Sequence, residues 1–92
     1  MASERVCYGV RVHGRVQGVG FRYSVMRRAQ QLGVAGWVRN EPDGTVSVQC
    51  EGAPDDIKEF LDYLKTGPPG ARVTHIDVKK SAPEGRRDFT IR

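Results

Sequence analysis

Along residues 6 to 12 apolar and polar positions alternate. Val6, Tyr8, Val10 and Val12 fall on one side and Cys7, Gly9 and Arg11 on the other, the period of two expected of a strand with one buried face. After a glycine-rich run from Gly14 to Gly20 the apolar positions widen to Phe21, Val25, Ala29 and Leu32, a helical stripe that stops at Gly33. A second strand is expected around Gly36 to Asn40. Glu41-Pro42-Asp43-Gly44 then reads as a turn, proline pre-setting φ and glycine accepting the positive φ that closes it. The return strand puts Val46, Val48 and Cys50 on one face and Thr45, Ser47 and Gln49 on the other, so the same side of the sheet stays buried. Ile57, Phe60, Leu61 and Leu64 give the i, i+3, i+4, i+7 signature of a second helix, opened by Pro54, Asp55 and Asp56 and closed by Lys65, Gly67 and Pro68. Val73, Ile76 and Val78 predict a fourth strand and Phe89 and Ile91 a short terminal one, with the charged stretch Pro83 to Asp88 as the loop between.

That order predicts an α+β fold of the split βαβ (βαββαβ) type, a ferredoxin-like sandwich with an antiparallel sheet of four to five strands and two helices on one face. At 92 residues, 38% of them apolar, the chain is the size of one domain, spanning 1–92. No long apolar run suggests a signal peptide or a membrane span, so a cytoplasmic protein is expected. Fifteen Lys and Arg against eleven Asp and Glu give a net charge of +4, a mild field that favours anionic ligands but equally serves solubility. Fold alone does not give function, because the same plan carries RNA-binding modules, metal chaperones and enzymes.

The strongest local signal is Gly14-Arg15-Val16-Gln17-Gly18-Val19-Gly20-Phe21-Arg22, between a strand end and a helix start. Its glycines let the backbone curl so that successive N–H groups converge, and the following helix adds its own unpaired N–H groups and positive dipole end. Arg22 could reach over the loop with a planar guanidinium that matches two phosphate oxygens at once. Spacing alone leaves open the simpler alternative of a tight glycine connection with a solvated arginine. The string is neither a G-x-x-x-x-G-K-[ST] loop nor a G-x-G-x-x-G match, since Tyr23 stands where the last glycine is required. Asn40 closes the second strand beside the turn. Its amide could hold a water against a phosphate without titrating, but asparagine in such a place commonly caps the local backbone, and the residues alone favour that reading.

Other chemistries find less support. Cys7 is followed six residues on by His13 and Cys50 by Asp56, so neither opens a C-x₅-R thiol phosphatase string. No G-x-S-x-G elbow exists, and His13 and His75 have no feature tying them to a nucleophile; they read as surface strand residues. Asp55 and Asp56 are explained as first-turn helix residues. No C-x-x-C spacing suggests a metal. Cys7 and Cys50 fall on opposite faces of neighbouring strands, which predicts two free thiols.

Two longer strings, taken together, resemble the acylphosphatase family. Val12-x-Gly14-x-Val16-Gln17-Gly18-Val19-x-Phe21-Arg22 is similar to its first signature, and Gly36-Trp37-Val38-Arg39-Asn40-x-x-x-Gly44-x-Val46, with Gly52 beyond, to its second. The resemblance covers essentially the whole chain. It implies hydrolysis of the carboxyl–phosphate bond of acyl phosphates, with Arg22 and Asn40 as the catalytic pair. The backbone amides of Arg15, Val16, Gln17, Gly18, Val19 and Gly20 would bind phosphate, with no metal and no cofactor. Expected ligands are an acyl phosphate substrate and inorganic phosphate or sulfate as product-like ions, and the chain is expected to be a monomer. A nucleic-acid-binding module is the rival reading on this fold. The outward positions Cys7, Gly9, Arg11, Thr45, Ser47 and Gln49 offer no aromatic stacking platform, so no nucleic-acid partner is expected. A domain cut from a larger carbamoyl-phosphate-handling protein is a further alternative that the 92-residue length disfavours.

Overall fold

The computed structural model describes residues 4–92, so the first three residues of the segment read for a leader lie outside it. In chain order the elements are β1 (Val6–Arg15), α1 (Phe21–Leu32), β2 (Ala35–Asn40), β3 (Val46–Gly52), α2 (Pro54–Thr66), β4 (Arg72–Ser81) and β5 (Phe89–Ile91). They form one five-stranded sheet in the order β4-β1-β3-β2-β5. No helix among the described residues is long and apolar enough to cross a membrane.

The inward parity of β1 and β3 is as the alternation requires. Val10, Val12, Val46, Val48 and Cys50 are buried with Phe21, Val25 and Ala29 of α1 and with Ile57, Phe60 and Leu64 of α2. Both helices therefore cover one face of the sheet, and the other face stays open. Helix α1 stops where Gly33 takes up a left-handed conformation (φ 72°) and its end is capped back onto Ala29 and Gln30. Helix α2 starts with proline in its first turn and two acidic residues against its positive dipole end.

Three features depart from the sequence expectation. The sheet is mixed, because β5 runs parallel to β2 (Gly36 beside Phe89, Val38 beside Ile91). The chain leaves β4 at one edge and must reach the other, passing β3 on the way. There the Glu51 carboxylate accepts the backbone N–H groups of Glu84 and Gly85, each at 2.9 Å, and the Arg5 guanidinium at 3.2 Å. This crossing explains the second departure, the complete burial of Cys7 on the polar side of β1: it lies opposite Glu51 and Ser81, in the row the crossing segment is fastened to. Third, the β1–β4 register jumps from His13 opposite His75 to Gly14 opposite Val73, so Thr74 is an extra residue. The bulge brings Val73 and Ile76 to the same face although they are out of step with a period of two.

Candidate active site

Strand β1 ends where Gly14 (φ 123°) lets β4 approach so closely that a Cβ would overlap the Arg72 carbonyl oxygen. The chain then turns through Gly18 (φ 76°) and Gly20 (φ 74°), both left-handed, into α1. Val16 anchors this loop in the core at 1% exposure. Gln17 fastens it sideways: its Nε2 donates to the carbonyls of Glu41 (2.8 Å) and Thr45 (2.9 Å) in the β2–β3 turn. Gly20 occupies the N-cap position and has no side chain with which to cap α1, so the first-turn N–H groups lack the usual side-chain acceptor.

Between loop and turn lies a cavity of about 190 Å³, lined by Val16, Gly18, Gly20, Phe21, Arg22, Tyr23, Asn40 and Ile91. At about 30 Å³ per water it holds a phosphoryl group with a few waters. Arg22 and Asn40 are thus brought to one cavity by different elements. Of the expected loop residues, Val16, Gly18 and Gly20 line it; Gln17 acts as the tie, Val19 packs against the core, and Arg15 belongs to β1, opposite Arg72. Phe21, Tyr23 and Ile91 complete the walls. No local pattern in the chain points to Ile91, which reaches the cavity through the parallel pairing of β5 with β2.

Two polar groups in this cavity stand out by their lack of partners. Arg22 forms no ion pair among the described residues; it shares this with Arg15, Arg27, Arg72, Arg87 and Arg92 but differs from them in lining the cavity, whereas Arg5, Arg11, Arg28, Arg39 and Arg86 each meet a carboxylate. The Asn40 side-chain Oδ1 is buried and accepts no hydrogen bond. A buried acceptor left unpaired costs about 1–3 kcal/mol, a cost that a donor from a water or a ligand would remove. Nor does Asn40 cap the turn. The Asp43 carboxylate does, accepting the Thr45 backbone N–H (3.0 Å) and hydroxyl (2.6 Å), while Glu41 N–H donates to the Thr45 carbonyl at 2.8 Å.

Among the described residues, neither Glu41 nor Cys50 offers a competing base or nucleophile. Glu41, next to Asn40, is held below the ordinary glutamate range by hydrogen bonds from Ser47 and Arg39 and is committed to them. Burial, with Cys7 close by, pushes the Cys50 thiol up to about 12, far from any useful thiolate. A larger groove of about 540 Å³ lies on the open face, lined by Gly9, Arg11, Trp37, Gln49 and Lys79 among others. Here the structure adds an aromatic that the outward positions of β1 and β3 lack. Trp37 is flanked by the guanidiniums of Arg39 and Arg92, 5.2 and 4.8 Å from its ring centroid. The groove has neither the glycine loop nor an unpartnered buried polar atom.

The fold is a two-layer α+β domain with an arginine and an unsatisfied amide beside a left-handed glycine loop, and similarity places it in a class. The acylphosphatase family profile matches residues 8–91. An acylphosphatase of Thermococcus kodakarensis is 50% identical over 88 residues, covering 96% of this chain and 97% of that one. The crystal structure of the Bacillus subtilis acylphosphatase superposes with a TM-score of 0.91 at 42% identity, covering 94% and 97% of the two chains. Full-length HypF, solved in a phosphate- and nucleotide-bound form, contains the same fold in 12% of its length, at 30% identity and a TM-score of 0.90. The chain belongs to the acylphosphatase family.

Proposed function

We propose that the chain hydrolyses the carboxyl–phosphate bond of acyl phosphates at the cavity between the glycine loop and Asn40, releasing a carboxylate and inorganic phosphate. Arg22 and the N–H groups of the Arg15 to Gly20 loop hold the phosphoryl oxygens. The Asn40 Oδ1 accepts a hydrogen bond from a water and so turns that water's lone pair toward phosphorus. The water oxygen–phosphorus bond forms as the phosphorus–carboxyl oxygen bond breaks, and the water's proton passes to a phosphoryl oxygen.

The leaving group explains why so few residues suffice. A carboxylate, whose acid has a pKa of about 4 to 5, departs without a proton donor, whereas an alkoxide would need one. The loose, charge-rich transition state is served by a guanidinium and converging amides, and positioning of the water completes an in-line arrangement. No metal and no cofactor enters this scheme. The reading extends to a single domain acting as a monomer in the cytoplasm, where two unpaired cysteines are at home.

The single observation that carries the proposal is the buried, unpartnered Asn40 Oδ1 in the cavity that Arg22 also lines. The test is turnover of benzoyl phosphate in the presence of EDTA, with inorganic phosphate as inhibitor. Turnover with competitive inhibition is expected; no turnover, or inhibition that leaves KM unchanged, overturns it.

A further inference from the structure

Both histidines of the chain meet in the structure, although neither belongs to the cavity described above. His13 of β1 and His75 of β4 are direct cross-strand partners, and Asp77 follows two residues along β4 on the same open face of the sheet. The imidazoles stack with centroids 4.0 Å apart and an interplanar angle of 11°. One carboxylate oxygen serves both: Asp77 Oδ2 lies 2.8 Å from His13 Nε2 and 3.9 Å from His75 Nε2. The donor atoms of the three residues lie within 4.8 Å of one another.

We propose that His13, His75 and Asp77 form a binding site for a divalent transition-metal ion of the Zn²⁺ class, separate from the catalytic cavity. The donor set is right in kind: imidazole nitrogen and carboxylate oxygen are ordinary zinc ligands, at about 2.0–2.2 Å. Tetrahedral ligands at that radius are roughly 3.3 Å apart. The two observed separations, 2.8 and 3.9 Å, bracket this value, so each histidine moves by about half an ångström. The rings must also swing from parallel so that their lone pairs converge, and His75, with its side chain 58% exposed, is free to do so.

The scaffold is rigid where it needs to be. The three residues sit on strands held by nine register pairs between β1 and β4, next to the bulge at Thr74, rather than on mobile loops. Arg11, opposite Asp77 in the β1–β4 register, is drawn off by Asp43 at 3.5 Å and the Thr45 hydroxyl at 3.2 Å. The three side chains leave one tetrahedral position for water. The cysteines do not compete, since both are buried.

The probe is Zn²⁺, titrated calorimetrically into metal-stripped protein at pH 7.5, with the side-chain resonances of the two histidines followed by NMR. One equivalent should shift both imidazoles. Affinity should fall at least about tenfold in His75→Ala and in Asp77→Asn, the loss that follows removal of groups in or behind a coordination shell. His75→Ala should keep the parent's melting temperature in EDTA and its turnover of benzoyl phosphate. Binding that survives His75→Ala undiminished, or imidazole resonances that stay put at tenfold excess zinc, overturns the site. If Asp77→Asn fails to fold, the His75 variant decides alone.

Discussion

Gln17 and Glu41 are joined by a hydrogen bond of 2.8 Å from the side-chain Nε2 to the main-chain carbonyl, and the same amide also reaches the Thr45 carbonyl at 2.9 Å. Because the loop that carries Gln17 leads into Arg22, and Glu41 directly follows Asn40, this tie fixes the spacing of the two residues proposed for catalysis. Gln17→Ala removes both bonds, while each carbonyl keeps one backbone donor, Gly44 N–H on Glu41 and Glu41 N–H on Thr45. At about 1 kcal/mol per bond it should lower the melting temperature by roughly 8–16 °C in a domain of this size. Loosened positioning should also cost about tenfold in kcat/KM for benzoyl phosphate at temperatures where the variant is fully folded. Unchanged kinetics in the folded variant would mean the tie is structural only.

Acid should reveal the strap across the open face. Burial by itself would raise the Glu51 pKa, but the N–H groups of Glu84, Gly85 and Arg86 and the Arg5 guanidinium outweigh it and hold the carboxylate below its ordinary value of 4.5. A group whose folded-state pKa is depressed contributes stability that is present above the unfolded-state value and lost as pH falls through the folded one. Stability should therefore decline below about pH 4.5, with Glu41 and Asp43, both also depressed, adding in the same direction from more exposed positions. Glu51→Gln should be less stable than the parent at pH 7, and denaturant melts at pH 7 and pH 3 should show the gap closing. A constant gap would mean the carboxylate charge is not what fastens residues 84 to 86.

The cysteines should count as two free thiols in a thiol assay. Tyr8 pairs with Cys50 and Cys7 with Glu51, so the two side chains leave their strands on opposite faces, as the alternation predicted. Both thiols are buried, and burial pushes that of Cys50 up to about 12, which suppresses its thiolate. Thiol reagents should thus be slow on the native protein and count two in unfolded, unreduced protein. A count of zero would overturn the parity argument.

How much of this was legible in the sequence depends on how local each feature is. Helix α2 and the β2–β3 hairpin follow from contiguous patterns, Ile57-Phe60-Leu61-Leu64 and Pro42-Asp43-Gly44, and fold as those patterns require. The parallel seat of β5, the burial of Cys7 and the His13–His75 pair depend on which distant segments meet, and no periodicity in this chain encodes that. Asn40 lies between the two cases. Its type and place beside a turn favoured a backbone cap; only the resemblance to a longer motif favoured catalysis. The structure gives the capping role to Asp43 and leaves the Asn40 oxygen unpaired. Arg22 could be named from the loop, but its freedom from ion pairs could not.

Arg22 and Asn40 should separate cleanly in kinetics. Arg22 holds phosphoryl oxygens in ground and transition states alike, so Arg22→Ala should raise KM, lower kcat/KM by at least about a thousandfold and abolish the rise in melting temperature caused by inorganic phosphate. Arg22→Lys should recover little of this, because a point charge cannot reproduce two parallel contacts. Asn40 acts on the water alone. Asn40→Ala should lower kcat by about 10²–10³ while phosphate still binds and still stabilises, the signature of a group used mainly in the transition state. The substitution also deletes a buried, unpaired oxygen, so the variant should be no less stable than the parent, and a melt run beside the assay checks this. A folded, phosphate-binding Asn40→Ala that turns over benzoyl phosphate at the parent rate would remove the water-positioning role and with it the reason for that orphaned acceptor.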